Sequence, residues 1–491
     1  MRKPSIIIGR ITLAAVAVMM TVSSQAQEWP NDISLTRNEA ALVRQNNDFA
    51  LNLFRKITLK YGYIGRGGCM VPEGVDLEAP YQSQIVSPLS ITYALGMLNN
   101  GAAGKTQQEI NQVLGFGDAG ADAINAFCRK MLTEAPALDE QTKLNLSNAI
   151  FFNRQTGLQL KEAFADKARS YYDAEIALRD FDDGQTMDVI NQWASDHTEG
   201  MIPSILDEST FNPYAVSYLL NAIYFKGTWT LKFDPEETKE EPFYREKSIY
   251  TDNVQMMHLK KELGYTENDD FQAIQLPYGN QSFQMTVLLP REGKTVEDLL
   301  WELSGNHSML TADRWEGLRW MSRAVVDVKL PRFETESDIN LKPIMSLLGM
   351  PTAFDQEKAE FPDMCDMSDA AQRLYIALMK QSAKIKVSEE GTEAAAVTII
   401  GTEVTGMPTE PKHVSFHANR PFLYIISDVG TGTIFFIGQY MGEGTTGIAA
   451  TERQQTPTAD ESLYDLQGQR LSNPPTRGIY VRNGKKINAG Q

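Results

Sequence analysis

The segment from Lys384 to Pro411 constrains the fold more than any other part of this chain. It opens on Lys384-Ile385-Lys386-Val387, whose polar and apolar side chains alternate as in a half-buried strand. Glu389-Glu390-Gly391-Thr392-Glu393-Ala394-Ala395-Ala396-Val397 follows and leads into Thr398-Ile399-Ile400. No residue after Glu393 and before Glu403 is charged. Gly, Thr and Pro punctuate the stretch up to Pro411, so it can lie exposed as a loop. It can equally be buried as a strand, because its uncharged half brings no charge out of water. A loop that is also a competent strand points to a device that exchanges hydrogen-bond partners.

Each small side chain of this hinge has a reason. Gly391 lets the backbone turn sharply. Thr392 is small and β-branched, so it can be buried as a strand residue. Ala394, Ala395 and Ala396 avoid clashes as the segment slides between existing strands. A charge at 392 would be buried early in that movement and left unpaired, which is costly. The plain alternative is a flexible linker.

The chain has 491 residues, 42% of them hydrophobic, enough for a sizeable core. Its net charge of -17 argues against nonspecific nucleic-acid binding, which needs a basic surface, and no run of Lys and Arg offers a polyanion site. Residues 1–26 read as a secretory signal: Arg2 and Lys3, an apolar core from Ile11 to Val22, and Ser24-Gln25-Ala26 as the cleavage site. The apolar core is shorter than the ~20 residues a membrane span needs, and no other segment is apolar enough to cross a bilayer. Of three cysteines, Cys128 falls on the apolar side of a helix, Cys69 in a Gly-rich loop, and Cys365 completes an odd count that leaves at least one thiol unpaired.

Helical spacing is expected over Asp48–Ile57, Ile91–Asn99, Thr106–Leu114 with Thr106 as N-cap, and Met187–Glu199. Strands are expected at Ser217–Phe225, Phe271–Gln275, Phe283–Leu289, Ala324–Lys329 and Leu374–Met379. A Gly- and Pro-rich loop spans about Tyr61 to Gln84. Helices come mostly first and strands later, which indicates an α+β fold with large antiparallel or mixed sheets.

Two spellings mislead. Gly115-Phe116-Gly117-Asp118-Ala119-Gly120 fits a dinucleotide fingerprint but follows a helix rather than a strand, so it reads as a helix–helix loop. Gly104-Lys105-Thr106 lacks the earlier glycine of a phosphate loop. The five histidines, His197, His258, His307, His413 and His417, form no metal-binding pair, and no G-x-S-x-G elbow is present. No cofactor, metal or catalytic residue is assigned, and the chain is not read as an enzyme.

Glu389 to Ala396 resembles the hinge of the reactive-centre loop of an inhibitory serpin, a family of protease inhibitors. Phe416-His417-Ala418-Asn419-Arg420-Pro421-Phe422 and Gly432 to Gly438 are similar to that family's last strands. Ser87-Pro88-Leu89-Ser90, Asn221 to Trp229 and Leu330-Pro331-Arg332-Phe333 occur in the family's order. The resemblance runs from about Phe49 to about Met441 and implies one serpin domain over 27–443, with about nine helices, a large central mixed sheet, smaller sheets and an exposed loop at about 389–413. It implies a monomer and a suicide inhibitor of a serine or cysteine protease, the partner being held as a covalent acyl complex. The alternative is a non-inhibitory binding protein or chaperone of the same fold.

The resemblance also assigns conformational residues. Ser87 and Ser90 would lie under the central sheet where its strands part, with Asn221 as partner; read from the residues alone, Ser87 is a helix cap. Gln381 stands where the family usually has histidine. Trp229 would pack at the top of the sheet and Asn191 on the helix that crosses it. Counting from Gly391 places the scissile bond at Thr405–Gly406, with Val404–Thr405 as the alternative. Counting back from Asn419 points to Met407 or beyond, but Pro408 makes that bond a poor substrate. Small or β-branched residues before the cut suit an elastase-like protease.

Residues 444–462 read as a linker and 463–491 as a short β-rich tail. Tyr464 to Leu471 and Arg477 to Lys486, with Asn483-Gly484 at a hairpin turn, are similar to the end of the C-terminal sorting domains that Bacteroidetes use for type IX secretion. A purely structural tail is the alternative. The expected address is extracellular, periplasmic or cell-surface.

Overall fold

The computed structural model describes residues 32–58, 81–246, 251–304, 311–367, 373–392 and 412–442, together with the backbone of 463–464, 470–471, 478–482 and 485–489. The chain divides into two units, Met1–Gly442 and Glu443–Gln491.

Nine α-helices occur among the described residues of the first unit: α1 (Arg37–Ile57), α2 (Pro88–Asn99), α3 (Gly104–Leu114), α4 (Gly120–Glu134), α5 (Glu162–Tyr172), α6 (Thr186–His197), α7 (Val296–Ser304), α8 (Thr311–Arg319) and α9 (Leu341–Leu348). Helix α1 reaches back to Arg37 because Thr36 and Glu39 cap it reciprocally: the Glu39 amide donates to Thr36 Oγ1 at 3.3 Å and the Thr36 amide to Glu39 Oε2 at 2.7 Å. Helix α3 starts at Gly104, earlier than expected. Thr106 is therefore not its cap; its hydroxyl is buried and accepts the Glu360 amide at 3.0 Å. Gly115 and Gly117 do lie between α3 and α4, and Gly120 is the first residue of α4.

The strands are β1 (Gln84–Val86), β2 (Lys143–Asn153), β3 (Gln159–Leu160), β4 (Glu175–Arg179), β5 (Ser217–Thr228), β6 (Lys239–Tyr244), β7 (Thr251–Glu267), β8 (Phe271–Tyr278), β9 (Phe283–Pro290), β10 (Ser322–Pro331), β11 (Phe333–Asn340), β12 (Cys365–Asp366), β13 (Leu378–Ser388), β14 (Gly391–Thr392), β15 (His413–His417), β16 (Phe422–Asp428) and β17 (Ile434–Tyr440). Two expectations shift: the strand foreseen at Leu374 begins at Leu378, and Gln84 is already in β1 rather than in a loop.

Six strands form one mixed sheet in the order β11-β13-β14-β5-β2-β4, and nine form another in the order β1-β17-β16-β9-β8-β7-β10-β15, with β6 on β7. Successive residues of a strand face opposite sides. On β5, Leu219, Ile223 and Phe225 therefore join the main core, whereas Tyr218, Leu220 and Ala222 join a second cluster with Ile190 and Trp193 of α6. At β5 the six-stranded sheet is thus buried on both faces, and α6 packs on its outer side. Every residue of α2 is buried under this arrangement.

The second unit is a four-stranded antiparallel sheet of β18 (Leu463–Tyr464), β19 (Arg470–Leu471), β20 (Gly478–Arg482) and β21 (Lys485–Ala489), in the order β19-β18-β20-β21. Arg482 pairs with Lys485. The connecting Asn483 and Gly484 lie outside the described residues, as do the signal segment, Cys69 and most of the 61–84 loop.

Candidate functional site at a split seam

The centre of the six-stranded sheet is a parallel pair. Strands β5 and β13 are in register from Leu378↔Tyr218 to Ala383↔Ile223. Past that point they part, and β14 is wedged between them. Thr392 pairs with Val387 on one side and Gly227 on the other; Gly391 pairs with Ser388 and Thr228. The chain has turned back at Glu389 and Glu390 and begun a new strand, antiparallel to both neighbours.

Gly391 is required at this turn. Its φ of 149° is one that side-chain-bearing residues rarely adopt, and a Cβ would strike the Gly227 carbonyl. Thr392 is fully buried, its side chain directed between the two sheets, where its hydroxyl lies 2.7 Å from that of Tyr278. Trp229 holds the turn from three points: its ring stacks on Tyr278 at 4.4 Å and 13°, its indole N–H donates to the Ser388 carbonyl at 2.9 Å, and its amide donates to the Glu390 carbonyl at 2.9 Å.

The two acidic residues of the turn are both tied down. Glu390 meets Lys232 at 2.5 Å. The buried Glu389 carboxylate accepts from Arg332 Nη2 at 2.5 Å, Arg332 Nε at 3.1 Å and Thr238 Oγ1 at 2.7 Å. Burial alone would raise this carboxyl's pKa, but the bonds from Arg332 and Thr238 outweigh it and bring it below the ordinary value. A depressed folded-state pKa stabilises the fold fully above the unfolded pKa, and that contribution disappears as the pH falls through the folded one. Glu389→Gln should therefore cost about 1–2 kcal/mol at neutral pH, since it gives up charge-assisted hydrogen bonds. The loss should shrink as the pH falls through the depressed folded-state pKa, where the wild-type carboxylate is itself protonated. Urea unfolding at pH 7 and at successively lower pH measures both.

Further down the seam, Gln381 and Asn221 stand opposite each other in register. They do not bond to one another. Asn221 Nδ2 donates to Asn148 Oδ1 of β2. Gln381 accepts the Ser87 amide at 2.9 Å and donates to the Ser87 carbonyl at 3.1 Å. The Ser87 hydroxyl caps α2, accepting the Ser90 amide at 3.4 Å. Ser90 Oγ, Asn148 Nδ2 and Asn221 Oδ1 have no hydrogen-bond partner among the described residues. Asn191 lies on α6 and fastens that helix to the segment after it, donating to Leu206 O at 2.9 Å and accepting the Ile205 and Leu206 amides at 2.9 and 2.8 Å.

The structure thus brings Glu389, Gly391, Thr392 and Trp229 together at the top of the seam and Ser87, Ser90, Asn221 and Gln381 at its middle. Glu393, Ala394, Ala395 and Ala396 of the hinge, and Val404, Thr405 and Gly406 at the expected cut, lie outside the described residues. Tyr278, Gly227, Arg332 and Thr238 belong to the same site and were not singled out from sequence. Tyr278 is separated from Thr392 by 114 positions, and no local pattern marks such a contact. Among the described residues no cluster of His, Cys, Asp or Glu is arranged to hold a metal, and no helix is long and apolar enough to cross a membrane. Cys128 and Cys365 are buried free thiols; burial pushes the Cys365 thiol up to about 11.

These residues build a mixed sheet whose central parallel pair is parted at one end by the start of the following segment. Residues 73–442 match the family Serpin (serine protease inhibitor), and the chain belongs to it. Iripin-2 of Ixodes ricinus is 31% identical over 413 residues, covering 82% of this chain and 94% of its own. Human serpin B3 is 32% identical over 375 residues, covering 72% and 92%. Among solved structures, the thermophilic serpin tengpin in its native state superposes with a TM-score of 0.69 at 25% identity, over 84% of this chain and 96% of that one.

Proposed function

We propose that this serpin is a secreted suicide inhibitor of serine proteases, inhibiting rather than catalysing. The observation that carries this reading is the hinge: Thr392 is already seated between β5 and β13, and the residues that would follow it into the sheet are uncharged from Ala394 to Thr402. A protease attacks the loop and forms an acyl-enzyme. The freed loop enters the seam as a further strand, carries the protease with it and distorts its active site. This is the established behaviour of serpin reactive loops, a case of strand addition. Non-inhibitory relatives of this fold often carry obstructive residues in the hinge, and the small residues among 392–396 argue against that reading.

The target is an elastase-like protease, because Thr405 or Val404 would fill its primary pocket and no Lys or Arg lies between Thr392 and Pro411. Mixing the full-length protein with a protease panel should give an SDS-stable complex. Elastase should be trapped at least about tenfold faster than trypsin, in keeping with a shallow apolar pocket's preference for a side chain that fits it. Mass spectrometry of the released C-terminal peptide should find a start within 405–406. Rapid trapping of trypsin would overturn the specificity, and cleavage of the loop by every protease without any complex would overturn inhibition. Export through the N-terminal segment is checked by the mass of the mature protein, expected to begin at Gln27. Deleting the tail separates its two readings: a sorting signal predicts retention in the periplasm, a purely structural tail predicts unchanged export.

A further inference from the structure

We propose that Tyr278 is the positioning residue that seats Thr392 and so sets the register in which the loop enters the sheet. The inference rests on the inhibitory reading above and concerns how that insertion is phased. Tyr278 closes β8 of the nine-stranded sheet and is fully buried. Its ring lies under Trp229 and against Phe225, with centroids 4.4 and 5.2 Å away. Gly227 makes room for it, since a Cβ there would collide with the Tyr278 ring. The phenol oxygen has one partner among the described residues, the Thr392 hydroxyl at 2.7 Å. Withdrawal of Thr392 leaves a buried hydroxyl unpaired, which folded proteins avoid.

Register decides whether insertion works, because a slip of one residue turns every side chain to the other face. With Thr392 seated inward, alternation directs Ala394, Ala396, Thr398, Ile400, Thr402 and Val404 to the core side and leaves Glu393 and Glu403 on the outer side. Entry one residue late would aim Glu393 at a buried phenol and turn both carboxylates inward. Entry two residues late would restore the faces but put Ala394, which has no hydroxyl, in the seat. The hydroxyl pair distinguishes Thr392 from both neighbours.

The test uses the full-length protein with elastase as the probe and compares wild type, Tyr278→Phe, Thr392→Val and the double variant. Each single change should raise the number of inhibitor molecules consumed per trapped protease about fivefold, the factor that about 1 kcal/mol produces. The association rate should stay within about twofold, because the residues around the scissile bond are untouched. The double variant should return to within about twofold of wild type, since neither hydroxyl is then left alone. Unchanged stoichiometry in the single variants, or additive loss in the double, would overturn the proposal. Should wild type trap no protease, the inhibitory reading falls, and hydrogen exchange across 387–392 in the intact chain decides the seat. Faster exchange in each single variant with recovery in the double upholds it; equal exchange in all four overturns it.

Discussion

Replacing Thr392 by arginine should turn the protein from an inhibitor into a substrate. Thr392 is fully buried between Val387 and Gly227 with Tyr278 beneath it. An arginine at 392 has to leave its guanidinium unpaired in the core or withdraw from the seam. Burying an unpaired charge costs several kcal/mol, so it withdraws. The loop is still cut, but its first step into the sheet is blocked and the acyl-enzyme hydrolyses before the protease is distorted. Inhibitor consumed per protease should rise by more than about tenfold, equivalent to more than about 1.4 kcal/mol in the partition between trapping and turnover. Titration of elastase with the variant measures it, and stoichiometry equal to wild type would refute the role given to the hinge.

Cutting the loop should make the protein more stable. A nick in an ordinary surface loop frees chain ends and gains nothing. Here the released segment finds two waiting strand edges, because β5 and β13 are already parted above Ile223 and Ala383. Roughly ten new backbone hydrogen bonds at ~1 kcal/mol net each supply on the order of 10 kcal/mol. That is comparable to the whole stability of a typical domain. The melting temperature of the cleaved protein should therefore rise on the order of 20 °C, as scanning calorimetry before and after limited proteolysis would show. A cleaved form that melts at or below the intact one would exclude insertion. An uncut chain with that much stability in reserve must be held by a barrier rather than by equilibrium.

The hinge was legible in sequence because it breaks a pattern. A strand ends at Ser388, and the uncharged run of small residues after Glu393 suits a strand as well as a loop. Ser87, Asn221 and Trp229 were legible only through resemblance, since from their own neighbours they read as a cap, a strand residue and a core aromatic. Strand β7 escaped notice altogether. It runs for 17 residues, and the exposed Lys260, Lys261 and Glu262 interrupt its alternation in the middle of its pairing with β10, before it reaches β8. A strand that serves two regions of one sheet does not keep a single alternation. The Thr106 cap was misplaced for another reason: its hydroxyl is claimed by the Glu360 amide, 254 positions away, and a reading of local windows cannot see such a partner.

Gln381 has a consequence for how this molecule keeps time. At the level of the register pair Asn221 and Gln381 the side chains are lashed outward, Asn221 to Asn148 and Gln381 to the Ser87 backbone, while main-chain rungs join the two strands. None of these tethers gains or loses a proton between pH 5 and 8, whereas the histidine usual in the family would do so. On the inhibitory reading proposed above, a molecule passing through mildly acid surroundings keeps these tethers as it does at neutrality, and cleavage by a protease is what releases the loop.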